Sequence, residues 1–91
     1  MIDQDKIKLI REYLQDEFPG FEIDDTYDFD HISQTFRASN KSEVYVVKFE
    51  KIFIDDTSDL KKVLQDLKLV KIMYNNKGRQ IIVTKKGVTV L

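Results

Sequence analysis

The stretch that most constrains this fold is residues 43–49, Glu-Val-Tyr-Val-Val-Lys-Phe. It holds three valines and two aromatics with no glycine or proline, and such side chains suit a half-buried pleated surface. The run is predicted to be the inner strand of an antiparallel sheet covered by two helical segments. Its partner is the preceding stretch, residues 32–38, joined through the polar turn Ser39-Asn40-Lys41-Ser42. A two- or four-residue loop there sets Phe36 opposite Tyr45, Gln34 opposite Val47 and Ile32 opposite Phe49, and opposite residues share a face. One face is then apolar except for Gln34. The other carries Ser33, Thr35, Arg37, Val44, Val46 and Lys48, as a hairpin with one face on a core and one on water requires. The alternation fails at Asp30-His31 and near Lys51, at one level of the ladder. A bulge or the end of pairing is expected there.

Before the hairpin, residues 3–18 read as a helix. Ile7, Ile10, Leu14 and Phe18 recur at three- and four-residue spacing. Asp3 is the expected N-cap, with Ile2 stapled against Ile7, and Pro19-Gly20 stops the helix. Residues 21–23 are expected to form a short strand, Asp24-Asp25-Thr26 a turn, and residues 27–38 a long returning strand. After Phe49 the chain is expected to leave the sheet and begin a second helix at Asp55-Asp56-Thr57, with Asp59 in its first turn. Leu60, Val63, Leu64, Leu67, Val70 and Tyr74 fit the helical period. Leu69, Ile72 and Met73 fill its other side. Residues 69–74 therefore fit either a helix interrupted at Lys68 and ended before Gly78, or a strand entering a turn at Asn75-Asn76-Lys77-Gly78; the helix is preferred. Residues 80–84 and 88–91 then form a C-terminal hairpin through Lys85-Lys86-Gly87, with Gly87 free to take positive φ.

The predicted class is α+β: an N-terminal helix, an antiparallel three-stranded meander, a second helical segment and a C-terminal β-hairpin. Ninety-one residues suit one domain spanning 1–91. Four tyrosines and six phenylalanines favour a folded globule over a disordered segment. The chain lacks cysteine, which excludes disulfides and thiolate chemistry. Asp3, Asp5 and Glu12 stand where a signal peptide needs an apolar stretch, and a cytoplasmic location is expected. No apolar run is long enough to span a bilayer.

No stretch carries a catalytic or nucleotide signature. The three glycines, Gly20, Gly78 and Gly87, are isolated, so no phosphate-cradling loop exists. Asp24, Asp25, Asp28 and Asp30 with His31 resemble a metal site in composition. A calcium loop counted from Asp24, however, would need glycine where Phe29 stands and glutamate where Thr35 stands. Turn chemistry accounts for the aspartates, and no cofactor is expected. His31, the only histidine, has Ser33 two residues on but no oxyanion feature beside it. A small enzyme or metal site around Asp28, Asp30 and His31 is the weakest of three readings.

Charge distribution is the stronger signal. Residues 1–30 hold ten acidic and three basic side chains, and residues 61–91 hold one acidic and eight basic. Lys61, Lys62, Lys68 and Lys71 flank the second helical segment and could meet nucleic-acid phosphates. The acidic overall balance, with a sequence pI near 5.8, weighs against that, as does the lack of aromatics interleaved with the lysines. The order helix, three strands, helix resembles that of the double-stranded-RNA-binding domain. Here Asp55-Asp56-Thr57-Ser58-Asp59 stands at the start of the second helix where that family carries lysines, so RNA binding is not inferred.

The preferred expectation is a non-enzymatic binding domain for a protein partner or for self-association. A three-residue loop at 85–87 puts Ile82, Val88 and Val90 on one side of the terminal hairpin and Ile81, Val83 and Leu91 on the other. A two-residue loop mixes these sets but leaves apolar residues on both sides, and a hairpin apolar on both sides has a side to spare. With Lys77, Arg79, Lys85 and Lys86 around it, such a patch suits an acidic partner or the protein's own acidic third.

Overall fold

The computed structural model describes residues 3–91; Ile2, expected to staple the first helix, lies outside the described residues. Helix α1 (Gln4–Glu17) is capped by Asp3, whose carboxylate accepts from the Asp5 N–H at 2.8 Å. Its stripe of Ile7, Ile10, Leu14 and Phe18 is buried as the spacing predicts. Three antiparallel strands follow, β1 (Glu22–Asp28), β2 (Ser33–Ser39) and β3 (Val44–Glu50). Three short helices, α2 (Lys51–Asp56), α3 (Leu60–Asp66) and α4 (Leu69–Asn75), lead to β4 (Gln80–Thr84) and β5 (Gly87–Val90). The predicted α+β class is therefore present.

The sheet is mixed, in the spatial order β1-β2-β3-β4-β5. β4 lies parallel to β3, with Val47 beside Ile81 and Phe49 beside Val83. The helices between these strands form the crossover that a parallel pair requires. The sheet thus extends two strands beyond the order shared with the RNA-binding domain. β3 is the inner strand, and its Tyr45, Val47 and Phe49 are buried. Against them pack the α1 stripe, Ile54, Leu60, Leu64, Leu69 and Met73 from the other helices, and Phe36, Ile81 and Val83 from the sheet. Phe18 has ring centroids of Tyr45 and Tyr74 at 5.1 and 4.9 Å. Leu67, which fits the helical period with Leu60 and Leu64, is only half-buried at the C-cap of α3.

Four local expectations are corrected. First, Asp24-Asp25-Thr26 is strand and not turn, and the turn falls at residues 29–32. Asp25 points to the helical side, pairs with Arg11 of α1 and accepts from Gln34 Nε2 at 2.7 Å. That network gives an inward-facing carboxylate partners and holds it in a strand. Second, the β2–β3 register is shifted by two: Phe36 faces Val47, Gln34 faces Phe49 and Ala38 faces Tyr45. Asn40 sets the loop by accepting from the N–H groups of Ser42 and Glu43 at 2.8 and 2.7 Å. An even shift preserves the faces, so Phe36, Tyr45, Val47 and Phe49 remain inside. Ile32 does not join them; it stands in the turn, 58% exposed.

Third, the second helical segment starts at Lys51 and is broken twice. Asp59 caps α3 and accepts from the Lys62 N–H at 3.2 Å. Lys68 takes a left-handed φ of 55° between α3 and α4. Residues 69–74 are helical as preferred, with Gly78 after the helix end at φ 81°. Fourth, the terminal hairpin has a two-residue loop: Thr84 pairs with Gly87, Val83 with Val88 and Ile81 with Val90. Neither Lys85 nor Lys86 takes a positive φ; Gly87 does, at 127°, and closes the turn as its lack of a Cβ allows. With this register Ile81, Val83, Val88 and Val90 all face the helices, and Ile82 alone among the apolar residues of the two strands faces away. The pairing does end at Ser33 and Glu50, where the alternation fails, and the Lys51 N–H closes it by donating to the Ile32 carbonyl at 3.0 Å.

Candidate functional site

The strand order fixes what each end of the sheet carries. β1 ends, β2 begins, β3 ends, β4 ends and β5 begins at one end. In spatial order this end presents the β1–β2 turn, the β3–α2 junction and the β4–β5 turn. Three of the six exposed large apolar side chains among the described residues lie here: Phe29 (82% exposed), Ile32 and Ile52. The other three, Val44, Tyr74 and Leu91, lie elsewhere in the fold.

The β1–β2 turn is organised by Asp28. Its Oδ1 accepts from the backbone N–H groups of Asp30 and His31 at 3.0 and 3.2 Å, and its Oδ2 lies 2.7 Å from His31 Nδ1. The bond to the His31 ring is the main cause holding the Asp28 carboxyl below its ordinary pKa. The turn then ends on Ile32 at a φ of 48°. A β-branched residue in this left-handed region is a backbone outlier costing about 1–2 kcal/mol, since Cβ crowds the following carbonyl. The strained residue is also exposed, so burial does not offset the cost. Phe29 stacks edge-on against Tyr27 at 4.7 Å, and the two rings wall an open groove of about 600 Å³ with Thr26, Asp28, Asp30 and Thr35.

The hairpin residues singled out by the sequence are divided by the structure. Lys85 and Lys86 stand at this same end, and Lys85 reaches Asp56 at 2.9 Å. Lys77 and Arg79 stand at the opposite end of β4. There Lys77 pairs with Glu43 at 3.4 Å and Arg79 Nε donates to the Leu91 carbonyl at 2.6 Å. The five residues of β4 separate the two groups by about 17 Å at the usual strand rise. Val88 and Val90 pack against the core, half-buried.

The Asp28–His31 pair meets no nucleophile. Ser33 shares a small cavity of about 100 Å³ with His31, Lys48, Glu50, Ile82 and Thr84. Its Oγ is the one buried side-chain polar atom among the described residues with no hydrogen-bond partner, and it makes no bond to His31. Among the described residues no three His, Cys, Asp or Glu side chains converge as metal ligands would. Lys61, Lys62, Lys68 and Lys71 are all exposed along α3 and α4 and take part in no ion pair among the described residues. The face of the sheet away from the helices carries no aromatic side chain, because Tyr27, Phe36, Tyr45 and Phe49 all point to the helical side. It therefore offers no platform on which bases could stack. No described helix is long and apolar enough to cross a membrane.

Sequence reasoning missed Phe29, Ile32 and Ile52 as a group. Ile32 was placed inside by the alternation, and only the turn position and left-handed backbone bring it out. The available signal was Asp-Phe-Asp at 28–30, an aromatic between two turn-forming aspartates, which favours a turn with an outward ring. No family model, no curated protein and no solved structure matches the chain.

Proposed function

We propose that this chain is a protein-binding domain without chemistry of its own, and that it docks through the end of the sheet formed by the β1–β2 turn, the β3–α2 junction and the β4–β5 turn. The observation that carries the reading is Ile32. An isoleucine that is both exposed and held at a φ of 48° is disfavoured twice over in an isolated chain. Backbone strain of this kind concentrates where a surface is used. Phe29 and Ile52 beside it add apolar area of the kind that interface centres contain. Lys85 and Lys86 are the hairpin residues that belong to this surface.

A photoreactive residue in place of Ile32, in the full chain and in living host cells, tests the reading. The expected result is a crosslinked adduct of discrete mass, absent when the same group replaces Lys62 on α3. An adduct at position 62 and none at 32 would refute it. That outcome would favour the second reading, contact through Lys61, Lys62, Lys68 and Lys71, whose support is that all four are exposed and in no ion pair among the described residues. Nucleic-acid binding there would weaken steeply with salt and fall with Lys61→Glu and Lys62→Glu for all sequences alike.

A further inference from the structure

The partner at this end can be read from the order of its charges. Strand spacing puts the β1–β2 turn and the β4–β5 turn about 14 Å apart, with the β3–α2 junction between them. Asp30 stands in the first turn, exposed and in no ion pair among the described residues. Ile32 and Ile52 stand toward the middle, and Lys86 stands in the last turn, likewise exposed and in no ion pair. Apart from the internally paired charges Lys51–Asp55 and Lys85–Asp56, the row therefore runs from acid through apolar to base. A surface of one sign would call for a foreign partner of the other sign. A row with opposite signs at its two ends and apolar side chains between is complementary to itself when turned about a two-fold axis, the symmetry of most homodimers.

We infer that the occupant of this end is a second copy of the chain, the two meeting end to end with Ile32 and Ile52 near the axis and Asp30 of each copy opposite Lys86 of the other. The inference rests on the proposed protein-binding role of this end and names the partner. A contact of this breadth is small. Its association is correspondingly weak, with a dissociation constant on the order of 100 µM at low salt.

Sedimentation equilibrium from about 10 µM to about 1 mM covers that range on either side. Asp30→Lys and Lys86→Asp should each weaken association by about tenfold or more, because each homodimer then sets like charges opposite each other twice. Mixing the two variants should restore association to near the wild-type level, since the mixed pair has opposite charges at both contacts. Neither side chain makes a hydrogen bond among the described residues, so both variants should melt like the wild type. A wild-type chain that stays monomeric at 1 mM overturns the inference. So does association that neither variant changes, or variants that weaken it with no recovery on mixing. The photo-crosslink separates the two claims: an adduct of twice the chain mass agrees with a second copy, whereas a discrete adduct of another mass leaves the docking surface standing and removes the homodimer.

Discussion

Three valines of one strand allow the division of the sheet into a buried and an open face to be measured. Val47 is fully buried against the helices, Val46 faces away between Arg37 and Gln80, and Val44 near the strand start is 38% exposed. Each Val→Ala change removes the same two carbons, so differences among the three report surroundings and not chemistry. At Val47 the transfer term is about 1.6 kcal/mol at ~0.8 per carbon. The cavity left by two methyl groups, ~50 Å³ if nothing relaxes, adds up to about 1.2 kcal/mol at ~24 cal/mol per Å³. Val47→Ala should therefore cost about 2–3 kcal/mol. A chain of 91 residues at ~0.1 kcal/mol per residue has about 9 kcal/mol in total, so this is a quarter or more of its stability. It corresponds to a fall of roughly 10–20 °C in Tm. Val46→Ala should cost about 1 kcal/mol and Val44→Ala less, mainly through lost strand preference. Urea unfolding of the three variants with a shared m-value checks this. Equal costs within ~0.5 kcal/mol, or Val44 costing most, would refute a sheet with one covered face.

Ile32→Gly and Lys68→Gly should each raise stability by up to about 1 kcal/mol, because both positions have left-handed φ that glycine adopts freely. Thermal melts check both, and a loss at either site would show that its side chain contributes more than its backbone costs. Tyr45 donates from Oη to Glu43 at 2.6 Å, a bond that pushes its pKa up to about 12 and holds the Glu43 carboxyl below its ordinary value. The raised tyrosine pKa contributes stability present below its unfolded value near 10 and lost as pH rises through the folded value. The depressed Glu43 pKa contributes stability present at neutral pH and lost as pH falls through its folded value. In an alkaline absorbance titration Glu43→Gln should bring the Tyr45 step to lower pH, and an unchanged profile would refute the bond's role. Millimolar calcium, zinc or magnesium should leave Tm unchanged; a dose-dependent rise would reveal a metal site.

Much of this architecture is legible in the chain, and what is not has a physical cause. Period-two alternation reads through β3 because one side is dry and the other wet, and the even register error at Asn40 leaves that division intact. α1 reads as well, since its stripe, cap and stop agree. One failure has its origin in side chains paired across the fold. Asp24-Asp25-Thr26 has turn composition, and only Arg11 and Gln34, distant in sequence, make Asp25 acceptable in a strand. The interruption at Lys68 agrees with the preferred reading, whereas the early start at Lys51 and the break at residues 57–59 have no counterpart in the local periodicity. The terminal hairpin was misjudged through a single residue of loop length, enough to move Val88 and Val90 from one face to the other.

That last error bears on the candidate site. The two-residue loop turns Ile81, Val83, Val88 and Val90 toward the helices and leaves Ile82 on the open face, so the hairpin has little apolar surface to offer a partner. The expectation of a contact now stands on a different segment, the turn whose alternation fails at Asp30-His31. Both places break a local rule, but only one break has a compensation within the chain. At the hairpin, core packing of Val88 and Val90 satisfies the pattern. At Ile32 the carbonyl is held by the Lys51 N–H, but the β-branched side chain on its left-handed backbone is exposed and is not packed against the core. A position where strain and exposure coincide is where an intermolecular contact has most to contribute. Glycine at 32 provides the discriminating measurement, since it should make the fold more stable and association weaker together, two effects with opposite signs from one substitution. If Ile32→Gly raises stability and leaves association unchanged, the strain at this turn is only a tolerated defect, and the docking surface must be sought elsewhere.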